Sequence, residues 1–147
     1  MIRTVTFCGH SKIPSADLHS LTEKLTFEIE KLIKCGAKEF LLGGYGSYDI
    51  LCAKTVKKLK LKYPDIKSVL VIPYIDRPYD KDLYDFSEYP PIENTPKRFA
   101  ISKRNEYMVQ KSDAIVAYVT HNYGGAATTY SYAQKRKHIT CINLNDM

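Results

Sequence analysis

Apolar and polar positions along this chain fall into blocks that switch between two periods. Short runs of adjacent aliphatic or β-branched residues lie at residues 4–7, 39–42, 68–72, 114–119 and 139–143, the pattern of strands buried on both faces. Between them, apolar residues recur at helical spacing. Residues 17–35 carry Leu18, Leu21, Leu25, Ile29, Leu32 and Ile33 on one stripe, with Ser15 as cap and Gly36 as the terminating residue. Residues 48–62 offer Leu51, Val56 and Leu59 to a core and stop at Tyr63-Pro64. Thr95-Pro96 opens a third helix, with threonine as cap and proline in the first helical position, that runs to residue 111. A fourth helix is expected over residues 127–135. Strand alternating with helix predicts an α/β fold: a mostly parallel, doubly wound five-stranded sheet with helices on both faces.

One stretch breaks the pattern. Residues 73–94 are irregular and rich in tyrosine and acid: Tyr74, Tyr79, Tyr84 and Tyr89 alternate with Asp76, Asp80, Asp82, Asp85 and Glu88. A loop of this length inside a compact domain is often functional. A short helix around residues 81–86 is expected within it. Lid, dimer contact and irregular surface insertion all remain open readings.

The 147 residues suit one domain, residues 1–147, with one core. No apolar run reaches the ~18 residues of a membrane helix, and the first residues lack a signal-peptide pattern, so a cytoplasmic location is expected with no membrane partner. Cys8, Cys35, Cys52 and Cys141 form no C-x-x-C pair, and the four histidines show no metal-ligand spacing. Neither a metal nor a cofactor is expected. Lysine and arginine number 22 against 16 acidic residues, a net charge of +6, which admits nucleic acid or a phosphorylated small molecule as partner.

Four short motifs follow strands, and the carboxyl ends of parallel strands share one edge, where ligands bind at the point of strand-order reversal. The first is Cys8-Gly9-His10-Ser11, in which His10 either serves the fold or meets a ligand as hydrogen-bonding group, acid or base. The second is Gly43-Gly44-Tyr45-Gly46-Ser47, whose glycines let the backbone approach a ligand before a helix start that attracts anions. Asp49, in the first turn of that helix, either complements the helix dipole or accepts hydrogen bonds from a ribose. The third is Pro73-Tyr74. The fourth is Gly124-Gly125-Ala126-Ala127-Thr128-Thr129, a phosphate cradle of backbone donors and hydroxyls, or simply a helix start. The helix from Thr95 adds Lys97, Arg104 and Asn105. Arg104 shares a stripe with Ala100 and Met108, so it needs a partner: a structural carboxylate or a ligand phosphate held by a forked guanidinium.

Together these motifs resemble the SLOG superfamily, named for the Smf/DprA and LOG proteins, and within it the small YpsA-like members. The resemblance rests on Thr6-Phe7-Cys8-Gly9-His10, on Gly43 through Asp49, on Pro96-Lys97-Arg98-Phe99-Ala100-Ile101, on Arg104-Asn105-Glu106-Tyr107-Met108-Val109, on Ser112-Asp113-Ala114 and on Gly124-Gly125-Ala126. It implies a Rossmann-like fold and a site for nucleotides or nucleotide-derived ligands. It also implies, by analogy, a homodimer. LOG enzymes hydrolyse the N-glycosidic bond of nucleoside monophosphates, with an arginine, a Ser-Asp dipeptide and a Pro-Gly-Gly-x-Gly-Thr-x-Glu-Glu loop. Here Arg104, Ser112-Asp113, Gly124, Gly125 and Thr128 match that pattern. Tyr123 replaces the proline and Ala127 the third glycine, and Tyr130 and Ser131 replace the two glutamates. Those carboxylates suit a reaction that builds positive charge on the sugar.

The expected function is therefore nucleotide binding. Cys8, Gly9, His10, Gly43, Gly44, Gly46, Ser47, Asp49, Tyr74, Lys97, Arg104, Asn105, Gly124, Gly125, Ala126 and Thr128 are the candidate ligand-binding residues. The alternative is N-glycosidic cleavage or transfer, with Arg104 and Asp49 as the catalytic pair. Single-stranded nucleic acid is the least expected partner, because many tyrosines lie in an acidic segment that repels a phosphate backbone.

Overall fold

The computed structural model describes all 147 residues. Six parallel strands form one sheet: β1 (Thr4–Gly9), β2 (Glu39–Leu42), β3 (Lys67–Val71), β4 (Phe86–Glu88), β5 (Ala114–Tyr118) and β6 (Thr140–Asn143). Their order is β4-β3-β2-β1-β5-β6. The chain thus lays strands outward on one side of β1, then crosses back and continues on the other. Strand order reverses between β1 and β5, which makes the carboxyl ends of those two strands the natural crevice.

Four helices cover the sheet: α1 (Leu18–Lys34), α2 (Ser47–Lys60), α3 (Ala100–Lys111) and α4 (Gly125–Gln134). The period of two within each strand divides the core. Val5, Phe7, Phe40, Leu42 and Val116 point to one face, where they pack with Leu25 and Ile29 of α1 and with Tyr48, Cys52 and Val56 of α2. Ile115 and Ala117 point to the other face and meet Val109 and Ala133, while Leu41, Val69 and Val71 enclose Met108. Each fully buried large side chain contributes about 1.5–3 kcal/mol.

Helix α1 ends as expected. The Ala37 amide donates to Leu32 O and the Gly36 amide to Ile33 O, the paired bonds of a glycine-terminated helix. Its start differs. Ser15–Asp17 form a 3-10 turn and no side chain caps the helix. The third helix differs in the same way: a 3-10 turn, Lys97–Phe99, precedes α3, and Thr95 caps nothing. In both places the backbone tightens where a side-chain oxygen was expected to satisfy the amides.

The sheet has six strands, not five. The extra one, β4, lies in residues 73–94, and the short helix expected around residues 81–86 is a turn that feeds it. Asp85 fixes this strand. Its carboxylate accepts from the Ser68 amide (2.9 Å) and pairs with Lys60 (2.8 Å). Tyr107 of α3 donates to Glu88 on the strand itself. Part of the tyrosine-rich segment therefore serves the sheet.

Candidate functional site

A cleft of ≈ 700 Å³ opens at the carboxyl ends of β1 and β5, within the range of ligand pockets. Its floor comes from Cys8, Gly9 and His10 at the end of β1. One wall is the turn after β5 with the start of α4, including Gly124, Gly125 and Ala126. The other holds Asp49 at the start of α2, and Arg104 and Asn105 of α3.

The α4 wall presents a helix start whose first amides are unpaired. Gly124 is the N-cap, with φ 91° and ψ 174°, and the first backbone bond of the helix is from Thr128 to Gly124 O. The amides of Gly125, Ala126 and Ala127 have no backbone acceptor. A Cβ at Gly124 or Gly125 would meet nothing within 4 Å, so the turn stands open. The expected hydroxyl is shifted by one residue. Thr128 is exposed, donates to Gly124 O (3.0 Å) and lies outside the cleft. Thr129 is buried, lines the cleft, and accepts from Asn105 Nδ2 (3.3 Å). A helix start seen only as sequence does not show which of two adjacent hydroxyls turns inward.

The other glycine turn is closed by the protein itself. A Cβ on Gly43 would lie 3.1 Å from Asp49 Oδ2 and 3.3 Å from Arg104 Cζ. A Cβ on Gly44 would strike Leu70 Cδ1 at 2.6 Å, and one on Gly46 would strike Ser11 Cα at 2.7 Å. The Ser47 amide donates to Ser11 O (2.8 Å) and the Tyr45 amide to Asp49 Oδ2 (3.1 Å). Gly43, Gly44, Gly46 and Ser47 thus surround the site without lining the cleft; Tyr45, at the tip of the turn, does line it. Gly9 is also a packing residue, since a Cβ there would sit 2.2 Å from the buried Tyr48 ring.

Arg104 finds its partner inside the protein. It is 2% exposed. Its Nη1 donates to Gly43 O and Val71 O, both at 2.8 Å, and its Nε to Asn105 Oδ1 at 2.8 Å. It therefore ties the carboxyl ends of β2 and β3 to α3 while its edge reaches the cleft. Asp49 is the nearby carboxylate. Burial lifts its carboxyl to about 6, against the opposing pull of the Tyr45 amide and the Arg104 charge. Such a group changes charge near neutrality. Cys8 is no nucleophile: burial pushes its thiol far above the ordinary range, with Asp49 adding to the effect.

His10 accepts from the Thr120 amide at Nε2 (2.9 Å), which requires a neutral ring with its proton on Nδ1. Burial, and then His121, lowers its pKa. Lys12, Thr120, His121 and Tyr123 also line the cleft. Sequence reasoning missed them because they sit in loops with no periodic signal; their place immediately after β1 and β5 was the available clue. Tyr74 and Lys97 lie elsewhere, with the tyrosine hydroxyl bonded to Lys97 O (3.3 Å) and the ammonium over its ring. No residue from 73–94 lines the cleft. Ser112 and Asp113 lie at the opposite edge of the sheet, where the Asp113 carboxylate accepts from the Arg3 and Thr4 amides (2.9 and 3.0 Å) and Ser112 donates to Met108 O. No three His, Cys, Asp or Glu side chains gather as a metal would require, and no helix is long and apolar enough to cross a membrane.

Comparison with known proteins gives a consistent family setting. No protein-family model matches the chain. The uncharacterized SPbeta prophage-derived protein YoqJ of Bacillus subtilis is 30% identical over 142 residues, spanning 78% of this chain and 81% of that protein. The UPF0398 protein BH1768 of Halalkalibacterium halodurans is 25% identical over 124 residues, 75% of this chain and 65% of that protein. Among solved structures, the molybdenum cofactor binding protein of Rippkaea orientalis aligns with TM-score 0.64 at 16% identity, covering 97% of this chain and 77% of that one. DNA processing protein A from Helicobacter pylori, described for its single-stranded DNA binding mode, aligns with TM-score 0.61 at 16% identity, covering 98% and 70%. At these identities the structural likeness is one of fold.

Proposed function

This chain belongs to the SLOG superfamily as a small YpsA-like member, and from that premise we propose that its cleft binds a nucleotide or nucleotide-derived ligand. The observation that carries the reading is the open start of α4. Three amides without backbone acceptors, the positive end of a helix dipole and the inward Thr129 hydroxyl converge on one side of a ≈ 700 Å³ cleft. Such a helix start favours a negatively charged group, which supports a phosphate there. Across the cleft, Asp49 accepts ribose hydroxyls, and its negative charge disfavours a second phosphate there. The structural neighbours bind a molybdenum cofactor and single-stranded DNA by their descriptions, and both ligands carry phosphate. Thermal denaturation with AMP, ADP-ribose and a cyclic nucleotide tests the reading, with a short oligonucleotide as comparison. A rise in melting temperature with at least one mononucleotide is expected; no shift with any of them overturns it.

One observation favours a second reading. A carboxyl that titrates near 6 inside a ligand cleft is poised for acid–base work. Asp49 then takes the role of the carboxylates that Tyr130 and Ser131 replace, and the site cleaves the N-glycosidic bond of a nucleoside monophosphate. Chromatography of AMP incubated with the protein would show free adenine, and the Asp49→Asn variant would release none. AMP recovered intact from the wild-type protein rules this reading out and leaves binding in place.

A further inference from the structure

The wall beside the open α4 turn carries a column of rings. His10 stacks on His121 with centroids 3.9 Å apart and planes 15° from parallel. His121 stacks in turn on Tyr123, again at 3.9 Å, with planes 17° apart. Tyr118 meets His10 edge-on at 5.9 Å and braces the inner end. The column starts at the floor of the cleft and ends on Tyr123, which is 70% exposed and has no ring on its second face. An exposed aromatic ring, held parallel to two others and next to an anion cradle, calls for a reason.

One nitrogen of each imidazole is already bonded to the backbone. His10 Nε2 accepts from the Thr120 amide (2.9 Å), and His121 Nδ1 donates to the Tyr123 carbonyl (3.0 Å). These bonds fix the orientation of both imidazoles through the backbone of the β5–α4 connection. At its outer end the column presents the free face of Tyr123. Tyr123 also directly precedes Gly124 and Gly125, so the last ring and the open helix start adjoin one another along the cleft.

We propose that the outer face of Tyr123 receives the planar base of the ligand as the fourth layer of this column. The inference rests on the nucleotide reading and narrows it. Recognition by a face depends on ring area and polarisability rather than on hydrogen-bond pattern, because every base has a π-face. The site then prefers purines to pyrimidines, separates adenine from guanine poorly, and holds a sugar phosphate without a base only weakly.

Calorimetric titration of wild type, Tyr123→Phe and Tyr123→Ala with AMP, GMP, CMP and ribose 5-phosphate tests this. AMP and GMP should bind alike and more tightly than CMP. Tyr123→Ala should weaken AMP roughly tenfold, the scale of one lost base–aromatic stack, and leave ribose 5-phosphate unchanged; Tyr123→Phe should restore AMP binding. An AMP affinity unaltered in Tyr123→Ala overturns the stacking inference and spares the nucleotide reading. Equal losses for AMP and ribose 5-phosphate overturn it too, since the substitution then acts through the phosphate turn. If wild type binds none of the four ligands, the nucleotide reading falls and the stacking inference with it.

Discussion

The two glycine-rich turns begin from the same local design. Each follows a strand, each opens a helix, and their N-cap glycines share one backbone conformation: φ 91°, ψ 173° at Gly46 and φ 91°, ψ 174° at Gly124. Only glycine adopts that conformation cheaply. The neighbourhoods differ completely. Around the first turn, Ser11, Leu70, Tyr84, Asp49 and Arg104 each lie within 3.4 Å of where a Cβ on one of its glycines would stand. Around the second, no atom lies within 4 Å of where a Cβ would be. The first turn lies beside β3 and β2, whose ends Arg104 ties together; the second faces the gap where strand order reverses. One motif is thus a structural joint and the other an open turn that lines the cleft, and the place in the sheet decides which.

The sharpest way to break this contrast is to remove the joint's keystone. Arg104→Met leaves Gly43 O and Val71 O without their donor, and should cost about 3 kcal/mol in urea denaturation. A loss within error would mean the guanidinium serves the ligand instead. Next in size, Gly44→Ala combines a positive φ of 68° with a contact of 2.6 Å to Leu70. A destabilisation of about 2 kcal/mol is expected. The matching change in the open turn, Gly125→Asp, should leave stability within about 0.5 kcal/mol while abolishing AMP-induced stabilisation through like-charge repulsion.

Asp49 sharpens the comparison through pH. Its folded-state value of about 6 lies above that of an ordinary carboxyl, so the folded chain holds this proton more tightly than the unfolded one. Its contribution to stability is then full below the unfolded value, declines as pH rises, and is lost above about 6. Asp49→Asn should gain about 1 kcal/mol over wild type near pH 8, discounted because the residue is partly open to the cleft, and nothing near pH 4. Equal curves at both pH values would refute the burial effect. The smallest expected effect separates two neighbours: Thr129→Val should weaken AMP binding severalfold by removing the inward hydroxyl, whereas Thr128→Val should not change it.

The sequence, by its alternation of aliphatic runs and helical stripes, determined the α/β layers, the parallel sheet and the edge on which the cleft lies. Those features follow from local periodicity, and Leu25, Ile29, Val116 and their neighbours bury as their spacing requires. It also marked Asp49, Arg104, His10 and the Gly124-Gly125 turn, which come to line one cleft, because each adjoins a strand end or a helix start. It did not reveal β4, whose three residues, Phe86–Glu88, carry no apolar run and are held by Ser68 and Lys60, which bind the preceding Asp85, and by Tyr107. Only the tertiary structure decided which glycine turn is open, which threonine faces inward, and that His10, His121 and Tyr123 form a column. Those outcomes depend on contacts between residues up to 111 positions apart, from His10 to His121, and on the crossover that sets β5 beside β1. Such contacts leave no trace in a local pattern, because each partner is an ordinary loop residue until the sheet brings them together.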